Sequence, residues 1–268
     1  MFDLYLDRNK NDKNIKNTFH ALKIFIKENK NNNVQNYGTL IKNSKNKIAI
    51  LWGLESKFKK NTQFRSEVKN AYSNIIVIEL GFLNRNIYRA ITLNEQAGLS
   101  FPKPIKCLNN RFDKLNLKIK PIQVKKNGYI LFCGQVPWDR QVQFLNTNYE
   151  TWVIKTLHQI RKTTNRNILF RFHPVYLKHI KKKGKKPMNL PNFVNIDQNK
   201  SILDSIKNAY VTVSYNSTAL IDSIINGCPI LALHQMSPVY ELSTNKVENI
   251  ENLYIPSEEE VLQNLYNI

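Results

Sequence analysis

Short apolar segments alternate with helix-like stretches along this 268-residue chain, and this alternation limits its possible folds more than any other feature. The apolar segments are short, rich in β-branched residues and often continuously apolar, as strands buried on both faces of a parallel sheet are. The candidate strands are Lys47–Trp52, Asn74–Glu79, Tyr129–Cys133, Ile168–Phe172, Phe193–Ile196, Tyr210–Ser214 and Pro229–Leu233, and the candidate helices are Asn14–Glu28, Gln63–Tyr72, Tyr149–Thr163, Ser201–Lys207 and Thr218–Asn226. The pattern predicts an α/β protein with parallel sheets.

A break in this pattern predicts two domains. The segment between Leu99 and Asn127 carries three of the ten prolines and many charges, and it shows no clear period. We therefore predict an N-terminal α/β domain with its connector at residues 1–125 and a C-terminal α/β domain at residues 126–268.

The charge is strongly positive, with 40 Lys and Arg against 20 Asp and Glu, a formal net charge of +20. Such a charge favours a polyanionic partner: nucleic acid, an acidic glycan or an anionic membrane surface. The alternative interpretation is a general abundance of Lys, Asn and Ile, which AT-rich coding produces without selection for a partner. A lysine cluster at Leu177–Pro187 is predicted to be a surface loop, either simply solvated or a phosphate-binding patch.

Several classes of protein are disfavoured by what the sequence lacks. Cys107, Cys133 and Cys228 lie too far apart for a disulfide framework or a metal knuckle, which indicates a reducing compartment. No signal peptide and no stretch of about 18 apolar residues is present, so we expect a cytoplasmic protein without a membrane span. Phosphate-loop, GxSxG, HExxH and Asp-x-Asp motifs are also missing, so we expect no metal site.

Three polar motifs follow predicted strands of the C-terminal half, where open α/β sheets bind ligands. They are CGQVPWD at Cys133–Asp139, RFHP at Arg171–Pro174 and a longer motif that begins at Ser214. In the last, small polar residues crowd a helix start, where capping side chains and unpaired N–H groups suit phosphate oxygens, and Asp222 follows on the exposed side of the helix.

RFHP adds a histidine and a forked arginine that can donate to a phosphate. Ordinary capping or a core histidine explains each motif alone. Together at strand ends they favour a pocket for a nucleotide diphosphate.

The order of these motifs resembles two-domain GT-B-type glycosyltransferases. The similarity is closest to the phage-associated branch that modifies DNA bases, and more distant to capsule and lipopolysaccharide transferases with an HP motif. In the N-terminal half, the dipeptide Trp52–Gly53 and the segment Glu79–Tyr88 are similar to motifs of that branch, so the resemblance spans about Lys47 to Ile255. Leu80 departs from the pattern, which usually has Arg there, and Arg85 could substitute.

The resemblance implies two Rossmann-like domains facing a cleft, with a nucleotide-sugar (a UDP-sugar) as co-substrate and no obligatory cofactor or metal. It implies that Glu79 is the catalytic base. Donor-binding residues would be Gly134, Gln135, Asp139, Arg171, His173, Ser214, Asn216, Ser217, Thr218 and Asp222. Acceptor-binding residues would be Trp52, Gly53, Arg85, Tyr88, Lys181, Lys182 and Lys183.

The first function expected is a monomeric hexosyltransferase that moves a sugar onto a hydroxymethylated base, such as 5-hydroxymethylcytosine, in double-stranded DNA. Such an enzyme would extrude the base from the duplex and, if phage-encoded, would act in the host cytoplasm. A bacterial surface glycan or lipid-linked acceptor is the alternative for the same chemistry. A non-catalytic nucleic-acid-binding protein is the alternative from another class.

Overall fold

The chain forms two compact units, Met1–Ser100 and Phe101–Ile268, each built around one five-stranded sheet. The computed structural model describes residues 2–6, 13–27, 32–36, 38–41, 44–53, 59–85, 87–95, 115–142, 145–266 and 268. Two α/β units with mainly parallel sheets confirm the predicted fold class.

The N-terminal sheet has the strand order β2-β1-β3-β4-β5. Its first four strands are parallel, and β5 pairs antiparallel with β4. The strands are β1 (Phe2–Leu6), β2 (Asn33–Asn36), β3 (Ile48–Trp52), β4 (Asn74–Leu80) and β5 (Arg89–Leu93), with helices α1 (Lys13–Lys27) and α2 (Lys59–Ala71). The predicted strands at β3 and β4 are confirmed, whereas β1, β2 and β5 were not predicted.

Alternating residues of this sheet face two different helices. Tyr5 and Leu51 pack in one cluster with Phe64 of α2. Leu4 and Ile50 belong to a second cluster, against which α1 packs. The sheet is therefore covered on both faces, as the apolar runs of its strands require.

A buried polar network lies at the amino-terminal edge of this sheet. Asp3 is fully buried, and its carboxylate accepts hydrogen bonds from Tyr72 Oη (2.5 Å), Asn33 Nδ2 (2.8 Å) and Asn46 Nδ2 (2.7 Å). The Tyr5 hydroxyl lies 2.6 Å from that of Tyr72. Burial by itself raises the pKa of Asp3, but the surrounding hydrogen bonds hold it below its ordinary value of 3.8.

The C-terminal sheet is parallel throughout, with the order β10-β9-β6-β7-β8. Its strands are β6 (Tyr129–Cys133), β7 (Ile168–Arg171), β8 (Val194–Ile196), β9 (Ala209–Ser214) and β10 (Ile230–Ala232). The helices are α3 (Tyr149–Thr163), α4 (Pro174–Lys182), α5 (Ile202–Lys207), α6 (Ala219–Ile225) and α7 (Glu258–Tyr266). All five strands were predicted, with ends shifted by at most one residue.

Chain direction across this sheet creates a topological switch point. From β6 the chain moves through β7 to β8, then returns to the other side of β6 to form β9 and β10. The helices α3 and α4 contribute to the larger core cluster, and α5 contributes Ile206 to the cluster on the other side. Open sheets of this kind bind ligands at the carboxyl ends of the strands beside the switch point, which here are β6 and β9.

Part of the predicted connector packs against the C-terminal unit. The backbone N–H of Lys120 donates to Ile225 O (2.9 Å), and that of Gln123 donates to Gly227 O (2.9 Å). Gly227 has a positive φ of 74°, and a Cβ there would lie 2.5 Å from Pro121 O. Only glycine therefore fits where α6 ends.

The lysine cluster at Leu177–Pro187 begins as a helix, so the prediction of a loop is wrong as far as Lys182, the last residue of α4. Pro174 occupies the first turn, where its missing N–H costs nothing. Tyr176 and Ile180, four residues apart, are buried on one side of the helix.

In the described part of the chain, no helix has the length and apolar character needed to cross a membrane.

Candidate functional site

Two residues predicted to bind a donor meet at the switch point of the C-terminal sheet. Gln135 follows β6 and Asn216 follows β9, and both are more than 90% buried. Gln135 Nε2 donates to Asn216 Oδ1 (2.7 Å), and the backbone N–H of Asn216 donates to Gln135 Oε1 (3.1 Å). The paired amides join two strand ends that are 81 residues apart in sequence.

Neighbouring polar groups hold this amide pair in place. Asn216 Nδ2 donates to Gln141 Oε1 (3.2 Å), and the backbone N–H of Gln135 donates to the Tyr149 hydroxyl (2.5 Å). Ser214 Oγ, fully buried, donates to Cys133 O (2.7 Å). The side chains of Gln135 and Asn216 thus connect the loops that follow β6 and β9, and Ser214 connects β9 to the end of β6. These bonds fix the backbone at the switch point.

Gly134 lies at the same edge and is required by close packing. Its N–H donates to Arg171 O (2.9 Å), which ties the end of β6 to the end of β7. A Cβ at this position would lie 2.7 Å from the ring of Phe170. Any larger residue would have to displace this fully buried ring.

His173 follows β7 and caps α4. Its Nδ1 accepts a hydrogen bond from the backbone N–H of Val175 (3.1 Å). In the neutral ring this places the hydrogen on Nε2, which makes Nε2 a donor suited to a phosphate or carboxylate oxygen. The half-buried ring belongs to the same sheet edge as the Gln135–Asn216 pair.

Arg171 is held by protein groups. Its Nη1 lies 2.6 Å from Asp197 Oδ2, and it also donates to Asn199 O (2.9 Å) and Ser205 Oγ (3.2 Å). Burial raises the pKa of Asp197, but hydrogen bonds from Ser205 and Arg171 hold it below its ordinary value of 3.8. A role for Arg171 in donor binding stays a prediction, and these contacts do not favour it.

The remaining predicted donor residues lie around the same loops. Ser217 Oγ accepts from the backbone N–H of Ala219 (3.2 Å), and Thr218 is the N-cap residue of α6 without a capping side-chain bond. Asp222 is exposed, as predicted, and exposed Asp139 accepts from the N–H of Gln141 (3.1 Å). Ser217 and Thr218 therefore place two hydroxyl groups beside Asn216.

His234, at the end of β10, was not among the predicted site residues. Its Nδ1 accepts from the N–H of Met236 (3.2 Å), the arrangement seen at His173. Its ring is stacked on Tyr215, with centroids 4.5 Å apart and planes at 24°. Burial lowers the pKa of His234, which keeps the ring neutral at pH 7. The sequence signal that could have identified His234 was its position directly after a predicted apolar strand.

In the N-terminal unit, the structure brings Glu79 and Gly53 together. Gly53 follows β3 with a positive φ of 62°, and its N–H donates to Ile78 O (3.0 Å). A Cβ at Gly53 would lie 3.4 Å from Glu79 Oε1 and 3.7 Å from Arg65 Nη2. Arg65, which the sequence did not indicate, is buried and donates to Trp52 O (3.1 Å). A carboxylate and a guanidinium therefore lie beside one strand end.

The predicted acceptor residues are dispersed within this unit. Trp52 is 5% exposed and packs in the core with Ile78, which does not favour contact with an acceptor. Arg85 is exposed and Tyr88 half-buried in the turn between β4 and β5. Their roles, like that of Glu79, stay predictions.

Lys181, Lys182 and Lys183 lie at the opposite edge of the C-terminal sheet from His173. The helix α4 begins beside His173 and runs nine residues, about 13 Å, before it ends at Lys182. The chain then returns to Val194, which pairs with Ile168, the first residue of β7. These lysines are therefore separate from the Gln135–Asn216 edge.

Among the described residues, no three His, Cys, Asp or Glu side chains are grouped as a metal site requires.

Comparison with solved structures finds the same fold in two transferases. The Thermosulfurimonas dismutans KpsC β-Kdo 2,7 transferase has a TM-score of 0.56 at 15% identity, over 98% of this chain and 89% of its own. The β-Kdo 2,4 transferase of the same KpsC has a TM-score of 0.53 at 13% identity, over 87% and 80%. The GT-B-like architecture expected from the sequence is thereby supported at the level of fold.

A third structure, the Methanocaldococcus jannaschii UDP-GlcNAc 2-epimerase in complex with UDP-GlcNAc and UDP, has a TM-score of only 0.33 at 12% identity, over 95% and 73%. No protein-family model and no curated protein sequence matches the chain.

Proposed function

We propose that this protein is a glycosyltransferase that takes its sugar from a nucleotide-sugar. The observation that carries the proposal is the Gln135–Asn216 bridge at the switch point, because it joins the two strand ends where such a sheet binds a nucleotide. The fold shared with two β-Kdo transferases supports the same class of chemistry.

The donor is assigned to the C-terminal unit. His173, through Nε2–H, and the hydroxyls of Ser217 and Thr218 would donate to the phosphate oxygens of the nucleotide. His234 would present a neutral ring, held by Tyr215, to the same ligand. Gln135 and Asn216 act indirectly, by fixing the backbone between these groups.

The proton-accepting carboxylate is assigned to Glu79 of the N-terminal unit. In the transfer step, an acceptor hydroxyl oxygen bonds to the anomeric carbon while the bond from that carbon to the nucleotide phosphate breaks. The hydroxyl proton goes to Glu79, and the nucleotide leaves with the bonding electron pair. The step needs no redox partner.

For the acceptor, a bacterial surface glycan or its lipid-linked form is our first candidate. Its support is that the two transferases with the same fold are named as β-Kdo transferases. A hydroxymethylated DNA base is the second candidate, supported by the net charge of +20. The identity of the nucleotide, for which we propose UDP, follows from the resemblance alone.

A two-acceptor transfer assay tests the proposal. The protein is incubated with a panel of nucleotide-sugars and either Kdo-terminated oligosaccharide or hydroxymethylated duplex, and products are weighed by mass spectrometry. We expect one acceptor to gain the mass of one sugar, and Glu79→Gln to abolish the gain. If no donor is consumed with either acceptor, the proposed function is wrong.

A further inference from the structure

The carboxyl edge of the C-terminal sheet carries four polar residues in one row. The last residues of β7 and β6 are paired, as are the last residues of β10 and β9. In β6 and β9 the residues one before the last are paired, so all four strands end at the same level. Two residues beyond these ends, in the strand order β10-β9-β6-β7, lie His234, Asn216, Gln135 and His173, here called the edge row.

Backbone hydrogen bonds hold the edge row at strand spacing. The pairing of β10 with β9 continues past the strand ends, because the N–H of Leu233 donates to Ser214 O (2.9 Å). Gly134 and Arg171 continue the pairing of β6 with β7 in the same way. Neighbouring strands lie about 4.8 Å apart, so the backbones at the two outer histidines are separated by three spacings, or about 14 Å.

The two histidines share a tautomer but differ in their surroundings. Each accepts a backbone N–H at Nδ1, so each neutral ring carries its hydrogen on Nε2. His173 caps the nine-residue helix α4, whose positive end favours an anion. His234 begins a turn instead, since the N–H of Ser237 donates to its carbonyl oxygen (3.0 Å). A bound anion would therefore have a helix end beside it at His173 but not at His234.

Aromatic packing and burial make His234 an uncharged donor. Tyr215, 4% exposed, packs against both the His234 ring (centroids 4.5 Å apart, planes at 24°) and Trp152 of α3 (5.2 Å, 82°). Burial lowers the pKa of His234, so the ring is neutral at pH 7. A neutral N–H suits an uncharged oxygen, such as the carbonyl of a base or the hydroxyl of a sugar, better than it suits a phosphate.

The groups assigned to the phosphates leave His234 to another part of the ligand. They are His173, after β7, and the hydroxyls of Ser217 and Thr218, after β9. These groups lie on either side of β6, and β10 is one strand spacing beyond β9. A ligand with its phosphates there reaches the end of β10 with the group attached to its phosphates, which is the nucleoside or the sugar.

We propose that His234 is a specificity-determining residue of the donor site, where its Nε2–H donates to an uncharged oxygen of the nucleotide-sugar beyond the phosphates. This inference rests on the proposed function. It gives the edge row a phosphate end at His173 and an uncharged end at His234, with the paired amides between them. The oxygen belongs either to the nucleobase or to the sugar, which share the chemistry of a neutral hydrogen-bond acceptor.

Two substitutions separate the ligand contact from the local fold. His234→Asn keeps a carbonyl acceptor for the N–H of Met236, as Asn does in turns, but removes the Nε2–H donor. His234→Gln keeps an N–H donor on its longer side chain and gives up the acceptor in the turn. We expect the Asn variant to unfold at the temperature of the wild type and to bind the donor more weakly. The Gln variant should unfold earlier and bind nearly as the wild type does.

Calorimetry measures the affinities for UDP and UDP-glucose, and then for CMP, GDP and dTDP and their sugar conjugates. We expect His234→Asn to weaken binding of the donor about three- to tenfold, as the loss of one uncharged hydrogen bond does. A loss confined to sugar conjugates assigns the oxygen to the sugar. A loss confined to the nucleotides of one base, with or without a sugar, assigns it to that base.

Other outcomes overturn the inference. A loss by the same factor for every nucleotide and sugar conjugate, which is the pattern expected of His173→Ala, would mean that His234 contacts phosphate. Unchanged binding of all ligands by His234→Asn would leave His234 a turn residue only. In that case a loss in His173→Ala alone keeps the proposed donor site. If the wild type binds no nucleotide and no sugar conjugate, the proposed function fails, and this inference fails with it.

Discussion

The two sheets differ in where their side-chain hydrogen-bond networks lie. In the N-terminal sheet, buried Asp3 gathers Tyr72, Asn33 and Asn46 at the amino edge, where β1 and β2 begin. In the C-terminal sheet, the Gln135–Asn216 pair lies at the carboxyl edge beside the switch point. The first network satisfies a buried carboxylate and holds the fold together. The second shapes the edge where open sheets take ligands, so we assign donor binding to the C-terminal unit.

The largest expected effect separates chemistry from binding. Glu79→Gln removes the proposed proton acceptor of the N-terminal unit and should lower kcat about 100- to 10,000-fold. Nucleotide affinity should stay unchanged, since the donor is assigned to the other unit. Steady-state kinetics measures kcat, and calorimetry measures nucleotide affinity. A loss of affinity without a loss of kcat would contradict the assignment of proton transfer to one unit and donor binding to the other.

The amino-edge network should behave as a stability element. Asp3→Ala removes the acceptor shared by the buried Tyr72 hydroxyl and the Asn33 and Asn46 amides, and it should lower the free energy of unfolding by about 3–5 kcal/mol. Tyr5→Phe, which keeps the Asp3–Tyr72 bond, should cost about 1 kcal/mol. Urea unfolding measures both, and equal losses would show that Asp3 is not the centre of the network.

The carboxyl-edge pair should act as one unit. Gln135→Ala and Asn216→Ala should each cost about 1–3 kcal/mol of stability and weaken nucleotide binding. The double variant should cost less than the sum by about 1 kcal/mol, because each single change already breaks the shared bonds. Strict additivity in a double-mutant cycle would mean that the two amides are independent.

The smallest effect concerns the acid side of the stability profile. Because the pKa of Asp197 is below 3.8 in the folded chain, its ion pair with Arg171 stabilises the fold above about that pH. This contribution is lost as the pH falls through the lowered pKa. Asp197→Asn should lose about 1 kcal/mol at pH 7 and show a flatter acid limb in thermal unfolding.

A control on exposed Asp204 separates a local effect from a general charge effect. Asp204→Asn should leave the acid limb unchanged, and an equal flattening would indicate that net charge alone shapes the profile.

Most of the strands that the sequence predicted are largely buried apolar runs, namely β3, β4, β6, β7, β9 and β10, and periodicity finds such runs. The edge strand β8 was also predicted, although Asn195 and Ile196 are exposed. By contrast, β2 is a polar edge strand, NVQN, and Asp3 interrupts β1. In β5 the side chains of Ile91 and Leu93 are 67% and 58% exposed. Pairing with neighbours forms these strands, and pairing over long sequence distances leaves no local pattern.

The position of the candidate site could be predicted to the extent that it depends on where the strands end. Gln135, His173 and Asn216 follow parallel strands of one sheet, whose carboxyl ends necessarily share an edge. Arg171 shows the limit, because its partner Asp197 follows a different strand and only the folded chain brings them together. The buried Arg65 beside Gly53 is likewise a tertiary contact, with no signal in its helical sequence.

Calorimetric titration with nucleotides and nucleotide-sugars tests the central claim, that the carboxyl edge of the C-terminal sheet binds the donor. We predict saturable binding of at least one nucleotide, weakened about tenfold or more by His173→Ala, which removes a donor to charged oxygens. His158→Ala, an exposed histidine of α3, should bind as the wild type does. Absence of binding by any nucleotide, or equal affinity in wild type and His173→Ala, would contradict the claim.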